Sequence, residues 1–580
     1  MDREENNNHG FPKKLYKNQL QFIKDGIETI NTNSCGIFSS PTGTGKTISL
    51  LIISINYMNK TEDDLFDLLR NSNKTKIYYC SRTHSQLNQV MEELNTNSNL
   101  YKSTILGSRK LYCINKNVDK TKDIEEINEA CFSLIKKDAC EYFKNNDFYQ
   151  MQNSNIVDMK NKGKCETFCP YYYTKNRASE CEMVLLPYNL LFTPEGRNSI
   201  DLDLEDKILI VDEAHNIYET VIDLNTVEIS YHEIKKALYT RGINQEITEI
   251  LTKIIKFREI HQGDITMLVN DYILEANLEK HNMIEVDEFI KENKLAQKNE
   301  NMKLFHISKF IKLLTYSDSN GLIIHNRNTI KFTCLNPALY FDELKRCRSL
   351  LFAGGTMEPT DQLINIFKKH KQIKSFNYYT KNRKILPIIL EKTIDNQSIL
   401  LTYENRNHLI ESVIKTIKAL TSVVKMGGTV IFVPSILDLF KICLKNISFD
   451  KPIYFEEDFN QFEKNPQILI AVLGGKYSEG INFKDEMCRL LIVVGVPFPA
   501  KSPEYLERCK HDKEYAVNTA MKKVNQAIGR SIRDNDDYSV VVLMDSRYSQ
   551  LKHKLSGWVS EKLETKNTCM AIDSIIKFLG

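Results

Sequence analysis

A glycine-rich loop at residues 40–47, Ser-Pro-Thr-Gly-Thr-Gly-Lys-Thr, constrains the fold more than any other segment, because it directly follows a short apolar run at residues 36–38. Glycines at positions 43 and 45 let the backbone curl so that its N–H groups point at phosphate oxygens. Ser40 stands where the general pattern has its first glycine. Such a loop joins a β-strand to an α-helix, so it predicts a parallel α/β sheet with a phosphate site at its edge.

Further apolar runs have the length and composition of buried strands, and helical patterns separate them. They lie at residues 77–80, 208–211, 350–353, 429–433, 468–472, 490–494 and 540–544. This alternation is typical of parallel α/β sheets. Because the runs form two groups, we predict an α/β protein with two such domains.

Two segments interrupt the alternation. Residues 107–182 are rich in cysteine, lysine and aromatic residues, and residues 222–335 have a helical pattern. The second segment places five apolar residues on one helical face, which predicts a core-facing stripe. They are Ile247, Ile250, Leu251, Ile254 and Ile255. Both segments are therefore predicted to be inserts in the first α/β domain.

The predicted first domain has three pieces and the second domain is continuous. The boundaries are 1–106, 183–221 and 336–375 for the first domain, 107–182 and 222–335 for the inserts, and 376–580 for the second domain.

Charge and hydropathy exclude several classes of protein. The chain has 580 residues with 78 basic and 75 acidic side chains, so any surface that binds nucleic acid must be local. The first ten residues are polar, and no apolar run approaches the roughly 18 residues that span a bilayer. We expect a soluble intracellular protein with no membrane partner. Thiols stay reduced there, so clustered cysteines suggest a metal site.

The loop and a carboxylate pair predict an ATP site. Lys46 is expected to reach the β and γ phosphates, and the Thr47 hydroxyl to bind Mg²⁺. Asp212 and Glu213 directly follow an apolar run, where Asp212 can bind the same Mg²⁺ and Glu213 can act as general base for the attacking water.

Two arginines predict that the second domain completes this site. Arg530 and Arg533 are three residues apart on a predicted helix, so they can share a face and stabilise the charge of phosphoryl transfer. The alternative is an exposed basic helix face. With the loop and the carboxylates, the arginines predict an ATP site split between two domains, whose cleft opens and closes with hydrolysis.

Together these motifs resemble superfamily 2 DNA helicases of the DEAH-box, XPD-type group, from Phe11 to about Trp558. The resemblance implies two RecA-like motor domains, with an iron–sulfur insert and a helical arch-like insert in the first. It also implies ATP and Mg²⁺ as cofactors, single-stranded and forked DNA as substrate, and translocation from 5′ to 3′.

Matching positions extend the candidate sites. Gln19, with Phe11 and Tyr16, resembles the family's adenine-reading segment, and Gln526 opens the arginine motif. The nucleotide-binding candidates are Gln19, Ser40, Pro41, Thr42, Gly43, Thr44, Gly45, Lys46, Thr47 and His215. Residues 81–85, 354–356 and 474–482 resemble a strand-binding motif, the coupling motif and the fifth motif. The DNA contacts are Arg82, Thr83, Arg109, Lys476 and Ser478.

Four cysteines between the phosphate loop and the carboxylates predict a metal centre. Cys113, Cys131, Cys140 and Cys169 are separated by 17, 8 and 28 residues. Four thiolates can hold a [4Fe–4S] cluster or a single zinc ion, and the resemblance favours iron. Cys165 competes for the fourth position, but the context of Cys169 resembles the family's last ligand. Cys181 is interpreted as a buried thiol on a strand.

Basic and aromatic residues around these cysteines predict a channel for single-stranded nucleic acid, since lysine and arginine neutralise phosphates and aromatic rings stack on bases. An ordinary solvated surface is the alternative. The residues are Lys102, Arg109, Lys110, Lys116, Lys162, Lys164, Lys175, Arg177, Tyr112, Tyr171, Tyr172 and Tyr173.

Within the group, residues 77–87, 335–338, 353–359 and 524–526 resemble the helicase of sister-chromatid cohesion, the chromosome-loss type. That resemblance implies a monomeric motor in the nucleus, working with replication-fork or cohesion factors in replication and repair. Three alternatives are a transcription and excision-repair helicase subunit, a catalytically idle DNA-binding scaffold, and a small-molecule kinase with a phosphate loop.

Overall fold

The structure is a computed structural model. It describes residues 15–41, 43–63, 76–97, 101–122, 124–144, 153–293, 295, 303–316, 320–379, 384–434, 444, 447–479, 483, 485–532 and 537–580. Within this part of the chain, no helix is long and apolar enough to cross a membrane.

The first α/β domain contains a seven-stranded sheet in which all neighbouring strands are parallel. In spatial order the strands are Ile373–Asn377, Cys35–Ser39, Ser349–Gly354, Ile208–Asp212, Ile77–Ser81, Met183–Pro187 and Ser103–Ile105. Its helices are Lys17–Asn31, Lys46–Asp63, His84–Asn97, Tyr188–Phe192, Pro194–Ser199, Ile217–Leu224 and Asp361–Phe367, with 3₁₀ turns Ala214–Asn216 and Pro337–Arg346. The central strands are buried along their whole length, as expected for a parallel sheet covered by helices on both faces.

The second α/β domain repeats this architecture with seven parallel strands. In spatial order they are Ile453–Phe455, Ile468–Val472, Thr429–Val433, Leu490–Val494, Tyr538–Met544, Lys384–Leu390 and Glu564–Lys566. Its helices are Arg406–Ser422, Phe459–Lys464, Lys476–Glu479, Pro503–His511, Tyr515–Gly529, Tyr548–Leu551, Gly557–Ser560 and Thr568–Leu579, with 3₁₀ turns Glu456–Asp458, Asp485–Met487 and Lys552–Lys554. The prediction of two parallel α/β domains is confirmed.

The cysteine-rich insert leaves the first sheet after strand Ser103–Ile105 and returns at Met183–Pro187. Its helices are Arg109–Tyr112, Ile124–Lys136, Glu141–Lys144, Ile156–Glu166 and Pro170–Arg177. Cys181 is buried as predicted, but it lies in the loop before the returning strand and not on the strand itself.

The second insert is not only helical, so that part of the prediction is wrong. It contains an antiparallel sheet in the spatial order Val227–Ser230, Thr329–Cys334, Gly321–His325 and Ile265–Leu268. Helices Tyr231–Ala237, Gln245–Ile260, Val269–Glu275, Met283–Glu292 and Lys303–Tyr316 pack with it. Strands of four to six residues are too short to show a clear alternation in sequence. The predicted apolar stripe of helix Gln245–Ile260 is buried in this insert's core.

Two predicted boundaries need correction. The boundary placed after residue 221 cuts through helix Ile217–Leu224. Strand Ile373–Asn377 pairs with Cys35–Ser39 in the first sheet, and the second sheet begins with Lys384–Leu390. The boundary placed after residue 375 therefore cuts through a strand of the first domain.

Candidate nucleotide and DNA sites

The phosphate loop follows strand Cys35–Ser39, and its two described glycines have a backbone that side chains rarely adopt. Gly43 and Gly45 both have φ of 78°, and a Cβ on Gly45 would lie 2.1 Å from Gln19 Nε2. Gln19 Nε2 donates to the Gly45 carbonyl at 3.4 Å, which places the predicted adenine-reading side chain against the loop. The Ser40 and Thr44 hydroxyls are hydrogen-bonded at 2.7 Å and tie the loop together. Pro41 also lines a cleft between the first and second α/β domains. Thr42 and Phe11 lie outside the described residues.

The predicted lysine and carboxylates meet because their strands end at the same edge of the sheet. Lys46 Nζ is 2.5 Å from Glu213 Oε1 and 3.1 Å from Asp212 Oδ1. Burial opposes ionisation of Glu213, but the charges and hydrogen bonds of Lys46 and His215 together outweigh it and hold the pKa of Glu213 well below its usual range. Burial likewise lowers the pKa of Lys46, and the two carboxylates reverse this shift. Lys46 and Glu213 are therefore both charged at neutral pH. Thr47 is half-buried in the first turn of helix Lys46–Asp63.

Two buried tyrosines hold the strand end that carries Asp212. Tyr79 Oη donates to Asp212 Oδ2 at 2.7 Å, and Tyr188 Oη donates to the Asp212 carbonyl at 2.6 Å. The Glu213 N–H donates to Asp212 Oδ1 at 2.9 Å, while Glu213 itself has a left-handed backbone with φ of 56°. His215 Nδ1 lies 3.1 Å from Glu213 Oε2. The carboxylate pair is therefore held in one orientation.

The second domain faces this edge across a cleft of about 530 Å³. Gln526 Nε2 donates to Asn216 Oδ1 of the first domain at 2.8 Å. Arg530 lines the cleft but lies just beyond helix Tyr515–Gly529, so the predicted helix ends before its arginines. Arg533 lies outside the described residues. The cleft is lined by Pro41, Arg82, Thr83, Gln86, Glu213, His215, Gly355, Thr356, Gln526, Gly529, Arg530 and Trp558.

The predicted strand-binding residues Arg82 and Thr83 are exposed at the end of strand Ile77–Ser81 and line the same cleft. Gln86 organises this turn, because its Oε1 accepts hydrogen bonds from Ser81 Oγ at 2.9 Å and from the Thr83 N–H at 3.1 Å.

The two predicted DNA contacts in the fifth motif differ in their exposure to solvent. Lys476 is exposed. Ser478 is buried, where its Oγ donates to the Gly475 carbonyl at 2.9 Å and accepts the Gly474 N–H at 2.8 Å. Ser478 therefore fixes its own loop.

The four cysteines of the predicted metal centre are buried and line one cavity of about 20 Å³. They are Cys113, Cys131, Cys140 and Cys169. Cys165, the competing ligand, is exposed and does not line this cavity. Burial raises the pKa of the Cys169 thiol to about 12. In the described part of the chain, no three metal-binding side chains converge closely enough to hold a single ion.

Arg109 is enclosed beside this cavity rather than placed on an open surface. Its guanidinium carbon lies 4.2 Å from the Tyr171 ring centre and 4.4 Å from the Phe132 ring centre, and Nη2 donates to Tyr172 Oη at 3.0 Å. Tyr171 and Tyr112 are buried, so these two predicted stacking rings belong to the core. Among the other predicted contacts, the exposed lysines are Lys102, Lys110, Lys116 and Lys164.

Two polar contacts between regions were not predicted. Glu358 Oε2 accepts from Ser39 Oγ of the first sheet at 3.0 Å and from Ser556 Oγ of the second domain at 3.3 Å. Buried Arg508 of the second domain donates to Thr333 Oγ1 of the insert at 3.2 Å and pairs with Glu504 at 2.8 Å. Sequence reasoning also missed Tyr79. Side chains on a strand alternate between its two faces, so the position two residues before Ser81 places Tyr79 on the same face as Ser81.

Comparison with known proteins agrees with this geometry. Two protein-family models match the chain: DEAD_2 at residues 79–234 and the helicase C-terminal domain at residues 417–562. The ATP-dependent DNA helicase CHL1 of Saccharomyces cerevisiae is 30% identical over an alignment that covers 89% of this chain and 74% of the relative. The chain belongs to the CHL1 family of ATP-dependent DNA helicases. The predicted resemblance and the predicted enzyme class are confirmed.

Other relatives of this CHL1-family helicase show similar coverage. CHL1 of Vanderwaltozyma polyspora is 30% identical, covering 86% of this chain and 73% of the relative, and chl-1 of Caenorhabditis elegans is 27% identical, covering 85% and 75%. A solved structure titled XPD_Helicase has a TM-score of 0.62 at 18% identity and covers 96% of this chain and 100% of its own. The chain therefore has an XPD-like helicase fold with two RecA-like domains.

Proposed function

We propose that this DNA helicase moves from 5′ to 3′ on single-stranded DNA and separates forked duplexes by closing and opening the cleft between its motor domains. One observation carries the proposal: Glu213 of the first domain, which pairs with Lys46, and Arg530 of the second domain line a common cleft. A nucleotide bound there touches both domains, so hydrolysis changes the force between them.

Each residue has a proposed role in hydrolysis. Lys46 binds the β and γ phosphates and is released from its carboxylate partners when they arrive. Glu213 accepts a proton from the attacking water, since its depressed pKa keeps it ionised. Arg530 stabilises the charge that spreads over the transferred phosphoryl group, while Gln526 and His215 position the groups around it.

Mg²⁺ fits the donor set beside the phosphate loop, because hard oxygen ligands from a hydroxyl and a carboxylate are those it prefers. Thr47 and Asp212 would hold the ion. When bound, Mg²⁺ neutralises charge on the phosphates. Asp212 Oδ1 faces the Lys46 amine, so this oxygen is directed toward the phosphate loop.

We also propose that the cysteine lobe holds a [4Fe–4S] cluster through Cys113, Cys131, Cys140 and Cys169. All four thiols line one cavity, which supports a shared ligand. N–H donors point at these sulfurs, as around cluster ligands: Asn115 Nδ2 donates to Cys140 Sγ at 3.5 Å, and backbone N–H groups donate to Cys113 and Cys169. When bound, the cluster would stiffen a lobe that guides the strand.

The cluster is tested by anaerobic purification with metal analysis and a visible absorption spectrum. Cys113→Ser is expected to lose iron and unwinding while keeping part of its ATPase activity. Cys165→Ser is the matched control, because this exposed thiol lies away from the cavity, and it is expected to keep full iron content. One zinc ion per chain in place of iron would make the cluster assignment wrong.

The polarity and pathway are tested on the purified single chain. Forks with a 5′ single-stranded tail are expected to be unwound and forks with only a 3′ tail are not. We propose a nuclear role in sister-chromatid cohesion, replication and repair, because the chain belongs to the CHL1 family and its segments 77–87 and 353–359 resemble the helicase of sister-chromatid cohesion. Unwinding by the isolated monomer would argue against the alternative of a transcription and excision-repair subunit. DNA-stimulated ATPase activity would argue against the alternative of a catalytically idle scaffold.

A further inference from the structure

Asp212 has two carboxylate oxygens with different surroundings. Oδ1 accepts the Glu213 N–H at 2.9 Å and lies 3.1 Å from Lys46 Nζ, so it faces the phosphate loop. Oδ2 points the other way and accepts Tyr79 Oη at 2.7 Å. The two oxygens therefore cannot exchange places without breaking the Tyr79 contact.

Tyr79 is well suited to hold a carboxylate in place. The side chain is fully buried in strand Ile77–Ser81, adjacent to the strand that carries Asp212. A phenol has one proton, and this one is directed at Oδ2.

The same strand leads directly to the proposed DNA-binding turn. Ser81, two residues after Tyr79, donates through Oγ to Gln86, which also accepts the Thr83 N–H. Arg82 and Thr83 then line the cleft. A shift of this turn upon DNA binding therefore acts on the strand whose middle residue holds Asp212.

We propose that Tyr79 is a positioning residue, which fixes Asp212 so that Oδ1 receives Mg²⁺ and which links that carboxylate to the DNA-binding turn at Arg82 and Thr83. This inference rests on the proposed role of Asp212 in Mg²⁺ binding. Residues that orient metal ligands usually change metal affinity about 10- to 100-fold when they are removed.

The test replaces Tyr79 with Phe, which removes only the hydroxyl. Binding of a fluorescent ADP analogue is titrated with Mg²⁺, and bound Mn²⁺ is measured by electron paramagnetic resonance. The Mg²⁺ concentration for half-saturation is expected to rise about tenfold. Nucleotide binding without Mg²⁺ is expected to stay unchanged. Single-stranded DNA is expected to lower the half-saturation concentration in the wild type and to have little effect in Tyr79→Phe.

Tyr78→Phe is the matched control, because Tyr78 is the adjacent buried tyrosine on the opposite face of the strand. It is expected to bind Mg²⁺ as the wild type does. A Tyr79→Phe variant that loses thermal stability but keeps normal Mg²⁺ binding would show a purely structural residue and overturn the inference.

Asp212→Asn separates this inference from the proposed function. If Asp212→Asn weakens Mg²⁺ binding and Tyr79→Phe does not, only the inference fails. If Asp212→Asn binds Mg²⁺ normally, the proposed metal site itself is wrong. Should Tyr79→Phe not fold, 3-fluorotyrosine at position 79 keeps the hydroxyl. Its fluorine resonance is expected to shift when Mg²⁺ joins bound ADP, and an unchanged resonance would contradict the inference.

Discussion

The two motor domains have the same architecture but unequal chemistry. Each contains seven parallel strands. At the edge of the first sheet, Lys46 Nζ lies within 3.1 Å of carboxylate oxygens of both Asp212 and Glu213, whereas the second domain brings Gln526 and Arg530 from the end of a helix. The shared architecture therefore does not determine the chemistry, which depends on the side chains placed at corresponding positions of each domain. Because neither domain has a whole site, activity belongs to the cleft between them.

Removing the lysine should break the first domain's half of the site. Lys46→Ala is expected to reduce ATP hydrolysis to background, because the phosphates lose the cation that binds them, and to leave DNA binding intact. Steady-state ATPase assays and DNA-binding titrations measure the two properties. Lys369→Ala, at an exposed position of the same domain, is the control. Full ATPase activity in Lys46→Ala would overturn the site.

Removing the arginine should break the second domain's half. Arg530→Ala is expected to slow hydrolysis by about a thousandfold while nucleotide binding changes little, since arginine acts on charge that develops in the transition state. Single-turnover hydrolysis and fluorescent-nucleotide binding separate these effects. Arg530→Lys keeps the charge without the planar fork and is expected to recover little activity. Hydrolysis at the wild-type rate in both variants would assign the second half of the site to other residues.

Arg508 tests whether the insert of the first domain is tied to the second domain. Arg508→Leu loses the bonds to Thr333 and Leu335 and leaves Glu504 with only Lys331 and the Thr333 hydroxyl, so we expect a loss of about 3 kcal/mol in stability. Urea unfolding measures it. The double variant Glu504→Gln/Arg508→Leu removes the remaining carboxylate and is expected to regain part of the loss. A neutral Arg508→Leu would mean that the contact contributes nothing.

The smallest expected effect is on the stability of a variant at Glu358, and this effect depends on pH. Burial raises the pKa of Glu358, and bonds from Ser39 and Ser556 offset this only in part. The folded protein thus holds this proton to higher pH than the unfolded chain, and stability falls as pH rises from about 4.5 through the folded pKa. Glu358→Gln has no such loss, so its melting temperature at pH 7 is expected to be about 1–2 °C higher.

The advantage of Glu358→Gln should shrink as the pH falls toward 4.5. Melting curves at several pH values measure it, with the exposed Glu463→Gln as control. A difference that grows toward low pH would show that the carboxylate is stabilised when charged.

The sequence predicted features that depend on the pattern of apolar residues or on which residues follow a strand. Buried runs were located within one or two residues, and Lys46 was matched with Asp212 because parallel strands end at one edge. The antiparallel sheet of the second insert escaped, since its strands are short and pair across up to about a hundred residues. The hydrogen bond between Gln526 and Asn216 joins the two domains. The spacing of residues in the sequence does not show which residues of two domains face each other, so this contact was not predicted. The enclosed position of Arg109 likewise depends on three rings brought together only by folding.

The order of strands in the first sheet has a consequence for synthesis. Strand Cys35–Ser39, which leads into the phosphate loop, has Ser349–Gly354 and Ile373–Asn377 as its neighbours. At about 5–20 residues per second, both arrive roughly 15 to 60 seconds later. The other four strands, two of which flank the cysteine lobe, are all complete by residue 212. On the ribosome, the cysteine lobe can therefore be complete before the proposed nucleotide site exists, and the unpaired edge of strand Cys35–Ser39 needs protection from wrong pairing.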